Sequence, residues 1–179
     1  MLATRGDTTG AAMAAQRAAA LDPQNERALG QLVSTLTDGR NEPALAQLTG
    51  ILLASKPGRP VTMYAEMSLS GLRGDFTKAA ALGERLTGSG GDTEDAARYF
   101  NLLGLAYQSI GNYDGARRAL EASLKIAPRA AATMLNLAYT ELRGGRPGAA
   151  EKRFSEALFV YPTLAPALNG LAEAREAQK

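Results

Sequence analysis

Small and apolar residues recur along this chain at helical spacing. Phe100, Leu103, Gly104 and Tyr107 stand at i, i+3, i+4 and i+7, which places them on one stripe of a helix. Thr93 is suited to cap that helix, with Glu94 and Asp95 in the first turn to complement the dipole. Gly111 and Asn112 break it. A second stripe follows at Ala116, Leu120, Ser123, Leu124 and Ala127, and Pro128 stops it. The next stretch repeats the plan. Met134, Leu137, Ala138 and Glu141 form a first stripe, interrupted at its end by the acid. Gly144 and Gly145 turn the chain, and Pro147 sits where a first helical turn tolerates it. Ala150, Phe154, Ala157 and Leu158 make the second stripe, which Pro162 ends. Upstream the pattern predicts helices over 25–38, 43–55, 60–73 and 75–87. A closing helix is predicted over 164–178, with Leu168 and Leu171 facing inward and Glu173, Arg175, Glu176, Gln178 and Lys179 facing out.

These helix pairs follow a period of 34 residues. Pro23 and Pro57 are 34 apart, as are Pro128 and Pro162. Gly111 and Gly145 are 34 apart, and Gly6 and Gly74 are two periods apart, with Gly39 one residue early for the same series. From Gly74 to Gly111 the spacing is 37, so three residues are inserted between them. The segment from Thr87 to Asp92, rich in Gly and Ser, is the place for that insertion. A fixed period of this size means stacked repeats, each burying its apolar face only against its neighbours.

Composition narrows the chemistry. The 179 residues are 45% hydrophobic but only 6% aromatic, with no Trp, so the core is built from small and aliphatic side chains that let helices approach closely. There is no Cys and no His, which removes disulfides, thiol catalysis, Cys- and His-ligated metal and the commonest general base. With 20 basic and 18 acidic residues the charge is too balanced to imply a nucleic-acid partner. The local clusters Arg117-Arg118, Arg143/Arg146 and Lys152-Arg153 read as solvated faces, because no aromatic platform accompanies them. No apolar run is long enough to cross a membrane, and the first residues lack the order of a secretory signal. The expectation is a soluble chain, cytoplasmic or periplasmic.

Three motifs invite chemistry and yield to simpler readings. Arg-Gly-Asp occurs at 5–7 and 73–75, both at the repeat turn, where Gly permits the bend and Asp starts the next helix. Gly88-Ser89-Gly90-Gly91 lacks the Lys and Ser/Thr of a phosphate loop and reads as the inserted loop. Glu173 and Glu176 are paired carboxylates on a helix face, without the burial that acid–base work requires. No cofactor, metal or catalytic residue is expected.

The segment Phe100-x2-Leu103-Gly104-x2-Tyr107, then Ala116-x3-Leu120, then Pro128, resembles the tetratricopeptide repeat signature Trp-x2-Leu-Gly-x2-Tyr, Ala-x3-Phe, Pro. The following unit keeps Leu137, Ala138, Gly145, Ala150, Phe154, Ala157 and Pro162 but has Glu141 at the tyrosine position. Glu66 departs likewise from an expected leucine. The resemblance implies an all-α, right-handed superhelical solenoid of antiparallel helix pairs, one repeat domain over 1–179. Its units are 1–24 (partial), 26–58, 60–92, 97–130 and 131–164, with a capping helix at 164–178. In the partial unit, Arg5-Gly6-Asp7 matches the turn, and Ala11, Ala15, Ala18, Leu21, Asp22 and Pro23 match a second helix whose first helix is almost entirely missing.

The resemblance also implies a function. In this family first helices line a concave groove that binds an extended peptide or a helix of a partner protein. By position, the groove residues are Arg98, Asn101, Leu105 and Gln108, then Leu135, Tyr139, Leu142 and Arg143, then Asn169 and Glu173. Asn101 and Asn169 are suited to clamp a partner's backbone, since an amide both donates and accepts. Tyr139 offers an apolar anchor with a polar tip. The alternative is a structural module, of the kind found in bacterial envelope or secretion assemblies, that self-associates through its N-terminal edge.

Overall fold

The computed structural model describes residues 25–55, 57–88 and 94–179, and Arg17. Among them are nine helices and no strand. They are α1 (Glu26–Asp38), α2 (Glu42–Ser55), α3 (Pro60–Leu72), α4 (Phe76–Gly88), α5 (Glu94–Ser109), α6 (Tyr113–Ile126), α7 (Ala131–Arg143), α8 (Pro147–Val160) and α9 (Ala165–Glu176). Every predicted helix that falls on described residues is present. The partial first unit, the Thr93 cap and positions 89–91 of the loop lie outside the described residues.

One turn recurs and sets the period. Arg40, Gly74, Gly111 and Gly145 all have positive φ, between 50° and 80°. In each turn the next residue donates its N–H back to the carbonyl five residues earlier: Asn41 to Leu36, Asp75 to Ser70, Asn112 to Tyr107 and Arg146 to Glu141. That is the Schellman closure, which satisfies orphan carbonyls at a helix end. The same residue then starts the second helix. The side chains of Asn41, Asp75 and Asn112 accept from the N–H three residues on, at 3.3, 3.1 and 2.9 Å. Asp75 therefore does what its tripeptide predicts. The glycine ladder needs one adjustment. Gly39 is helical at φ −74°, and Arg40 takes the left-handed position in its place.

The helices form two compact units, one up to Leu86 and one from Thr87 to Lys179. In the first, α1, α2 and α3 pack against one another around Leu29, Val33, Leu45, Leu48, Leu52, Val61 and Met67, all almost fully buried. In the second, α6 lies against α5 and α7, and α8 lies against α7 and α9. First helices also touch directly, α5 with α7 and α7 with α9. The stack stays thin because small residues meet large ones. A Cβ at Gly104 would lie 2.5 Å from Leu120 Cγ, so only glycine admits that contact. Fully burying Phe154 at the centre of the α7–α8–α9 cluster contributes roughly 1.5–3 kcal/mol.

Two departures from the expected stripes have physical causes. Glu141, at the tyrosine position, is buried at 4% exposure and lies 2.9 Å from Arg146 Nε without hydrogen-bond alignment. The acid is accommodated because the second helix begins with a cation. Leu168 does not face inward but is 50% exposed; Ala167, Gly170 and Ala174 are the buried side of α9. Phe154 fills the space beside Gly170, so α9 must present its smallest residues to α8.

Candidate functional site

The second unit carries all ten predicted groove residues on α5, α7 and α9, with Arg143 as the last residue of α7. Contacts on α5 and α7 join some of them, Asn101, Gln108, Tyr139 and Arg143, into a polar and aromatic strip. Asn136 Nδ2 donates to Asn101 Oδ1 at 3.0 Å, joining α7 to α5. Gln108 is held from two sides: its Nε2 donates to Thr140 Oγ1 at 2.9 Å, and its Oε1 accepts from Arg143 Nη1 at 2.8 Å. Arg143 also lies over the Tyr139 ring, 6.0 Å from its centroid, a cation–π contact. Arg98 is paired with Asp95 on its own helix at 3.1 Å.

Tyr139 is the hinge of the strip. Its ring meets Phe154 edge-on, with centroids 4.9 Å apart and planes at 79°. Its hydroxyl donates to the Pro166 carbonyl at 3.1 Å. The polar tip is thus engaged within the protein, and the residue presents ring rather than hydroxyl. Partial burial and the nearby Glu173 carboxylate hold its phenol above the ordinary range, with Arg143 opposing. Leu135 and Leu142 are half-buried against the core cluster, and Leu105 is half-buried on α5. Asn169, Glu173 and Arg143 are exposed.

Sequence reasoning passed over Asn136 and Thr140. Asn136 stands 35 residues after Asn101, close to one period, and that spacing is the signal that marks the pair. Once they are bonded, the NH2 of Asn101 and the side-chain carbonyl of Asn136 have no partner among the described residues, so the pair presents a donor group beside an acceptor group.

The basic clusters behave as structural pairs at about one repeat's spacing. Arg146 reaches Asp114 at 3.3 Å and Arg153 reaches Glu121 at 2.9 Å, while Arg117 pairs with Asp114 within its own helix at 3.0 Å. In the first unit Arg59 pairs with Glu26 and Arg73 with Glu42. Glu66 is half-buried and lines a cleft of about 260 Å³ with Thr49, Leu53, Ser70 and Arg73, where a leucine would have filled space. Among the described residues no acidic group is clustered to hold a metal ion, and no helix is long and apolar enough to cross a membrane.

Comparison with known proteins agrees with this architecture. No curated protein sequence matches the chain. Among solved structures, YrrB, described as a TPR protein with an unusual peptide-binding site, superposes with a TM-score of 0.65 at 14% identity, covering 93% of this chain and 84% of that one. MamA 41-end from Desulfovibrio magneticus RS-1 gives 0.65 at 17% identity, covering 89% of each chain. TTC0263, a thermophilic TPR protein of Thermus thermophilus, gives 0.63 at 23% identity, covering 93% and 90%. These likenesses show the fold, an all-α tetratricopeptide solenoid. The tetratricopeptide repeat sequence model matches residues 72–131 and 101–166, together more than half of the chain, and the protein therefore belongs to the tetratricopeptide repeat family.

Proposed function

We propose that this protein binds an extended peptide or a helix of a partner protein along the strip formed by α5, α7 and α9. The observation that carries this reading is the Asn101–Asn136 pair. It leaves a donor and an acceptor side by side, which matches the alternating groups of a peptide backbone. Leu105, Leu135 and Leu142 supply apolar contact beside it, and Tyr139 with Arg143 forms a flat wall. Asn169 and Glu173 extend the strip along α9. Gln108, Arg143 and Tyr139 are already held by internal bonds, so little side-chain freedom is lost on binding. Likeness to YrrB supports a peptide ligand only as an analogy of fold.

The test is affinity selection of peptides on the immobilised protein, followed by titration of a selected peptide against variants. Asn101→Ala combined with Asn169→Ala should weaken binding about tenfold or more, the loss of one or two good hydrogen bonds. Tyr139→Phe should bind as the wild type does, because the hydroxyl faces Pro166. A selected peptide whose affinity is unchanged by the double substitution overturns the reading.

A further inference from the structure

The recurring turn fixes a common register for the first helices. Eight residues before its left-handed position stand Leu32, Glu66, Leu103 and Leu137. Four residues before it stand Leu36, Ser70, Tyr107 and Glu141. In α1, α5 and α7 both positions carry large side chains, and Leu36, Leu103, Leu137 and Glu141 are buried. In α3 the first position is charged and the second is small. The space that the other repeats fill is left open there, as the cleft of about 260 Å³ between α2, α3 and the start of α4. All of its lining belongs to the first unit.

Two polar groups in this cleft are left without a counterpart. Glu66 is half-buried in its lining and is in no ion pair among the described residues. Ser70 follows one helical turn later, so the two side chains share a face of α3. Ser70 is only 6% exposed, and its hydroxyl has no hydrogen-bond partner among the described residues. The other acid in this register shows what is missing. Glu141 has Arg146 Nε at 2.9 Å, supplied by the turn that follows α7. The residue at the position of Arg146 in the turn after α3 is Asp75, an acid. The cations around the cleft do not replace it. Arg73 Nε lies 2.8 Å from Glu42, and Lys78 is exposed and in no ion pair among the described residues. Glu42, Glu66 and Asp75 together outnumber Arg73 and Lys78, so the cleft keeps an excess of negative charge.

We infer that this cleft receives an arginine side chain of a partner protein, its guanidinium set against Glu66 and Ser70. The carboxylate and the hydroxyl both accept hydrogen bonds. A guanidinium is a planar fork of N–H donors and meets two acceptors on one helix face at once, whereas an ammonium is a compact point charge. Leu69, at 9% exposure, and Leu53, at 42%, give the methylenes of the side chain an apolar wall. The partner thus brings from outside the kind of group that Arg146 brings to Glu141 from within the chain. The site is in the first unit, and it does not depend on peptide binding at the strip of the second.

The experiment is a titration of the isotope-labelled full chain with N-acetyl-L-arginine methylamide, a blocked residue that mimics arginine within a peptide, followed by backbone amide shifts. The shifts should saturate with a dissociation constant on the order of 1 mM and centre on Glu66, Leu69 and Ser70. Glu66→Gln should weaken binding about tenfold, the loss of a charge-assisted hydrogen bond. Glu66→Leu puts back the residue that the other repeats carry. It should fill the cleft and abolish the shifts, with a thermal midpoint at or above that of the wild type, so that lost binding is not lost folding. The blocked lysine counterpart should bind several-fold more weakly, and the blocked norleucine counterpart should not saturate. Shifts confined to α5 and α7, no saturation by about 50 mM, Glu66→Leu that binds as the wild type does, or a lysine or norleucine probe that binds as tightly as arginine overturns the inference.

Discussion

Phe154 and Gly170 occupy what would otherwise be one another's space. A Cβ at Gly170 would lie 2.2 Å from Phe154 Cζ, and the ring is fully buried with no room to retreat. Gly170→Ala gains about 0.5–1 kcal/mol of helix propensity, but the overpacking costs about 1–3 kcal/mol. The net expectation is destabilisation of about 1–2 kcal/mol, read as a lower urea midpoint at constant m-value. Gly50→Ala is the control. It is in the interior of α2 with nothing within 4 Å of the added Cβ, and it should stabilise by about 0.5–1 kcal/mol. Equal effects at the two positions would refute the packing argument.

Arg40 is the one described residue other than glycine with positive φ, at 50°, in a turn where the other three repeats use glycine. A side chain in the left-handed region costs about 1–2 kcal/mol, part of which glycine returns as unfolded-state entropy. Arg40→Gly should therefore raise stability by several tenths to about 1 kcal/mol. The converse change, Gly145→Ala at φ 74°, should lower it by about 1 kcal/mol. Thermal unfolding of both variants checks the pair, and a destabilised Arg40→Gly contradicts the account.

The turn at Arg40 also shows what was legible in the chain and what was not. The period and the helix pairs follow from proline and glycine spacing, because those residues act through local backbone geometry. The helix Glu94–Ser109 is three residues longer than its counterparts Pro60–Leu72 and Ala131–Arg143, a length that the reading of an inserted loop does not foresee. Gly39 misled by one position, since nothing in the sequence says which of two adjacent residues takes the left-handed conformation. Leu168 misled for a different reason. Its periodicity places it on an apolar stripe, but facing inward requires a neighbour on that side, and none is present among the described residues. The polar strip was legible as a set of helix positions. The pairing of Asn101 with Asn136 was not, because it depends on how two helices a repeat apart are set against each other.

Glu141 and Arg146 are an unequal pair. The acid is at 5% side-chain exposure and the arginine at 37%, so removing each leaves a different remnant. Arg146→Ala strands a buried carboxylate, which costs about 2–4 kcal/mol. Glu141→Leu leaves a half-exposed guanidinium that keeps Asp114 at 3.3 Å, and it restores an apolar side chain to the stripe. That variant should fall within about 1 kcal/mol of the wild type. Chemical denaturation of the two single variants measures the asymmetry, and comparable losses in both would refute the claim that stranding the acid is the costlier change.

Glu151 ties the end of α9 to α8. Its two oxygens accept from Arg175 Nε at 2.8 Å and Gln178 Nε2 at 3.0 Å. The hydrogen bond from Arg175 is the larger cause that holds this carboxyl below its ordinary value of 4.5, with Gln178 adding to it. A carboxylate with a depressed folded value contributes its stability above 4.5 and loses it as pH falls through the folded value. The loss is local to α9, and because Glu151 stands in water it is also sensitive to salt. Between about pH 6 and pH 3 the wild type should lose hydrogen-exchange protection at the C-terminal turn of α9 more steeply than Glu151→Gln does. The difference should shrink in about 1 M salt. An identical pH dependence for the two proteins would mean that the Arg175 and Gln178 contacts do not secure that turn.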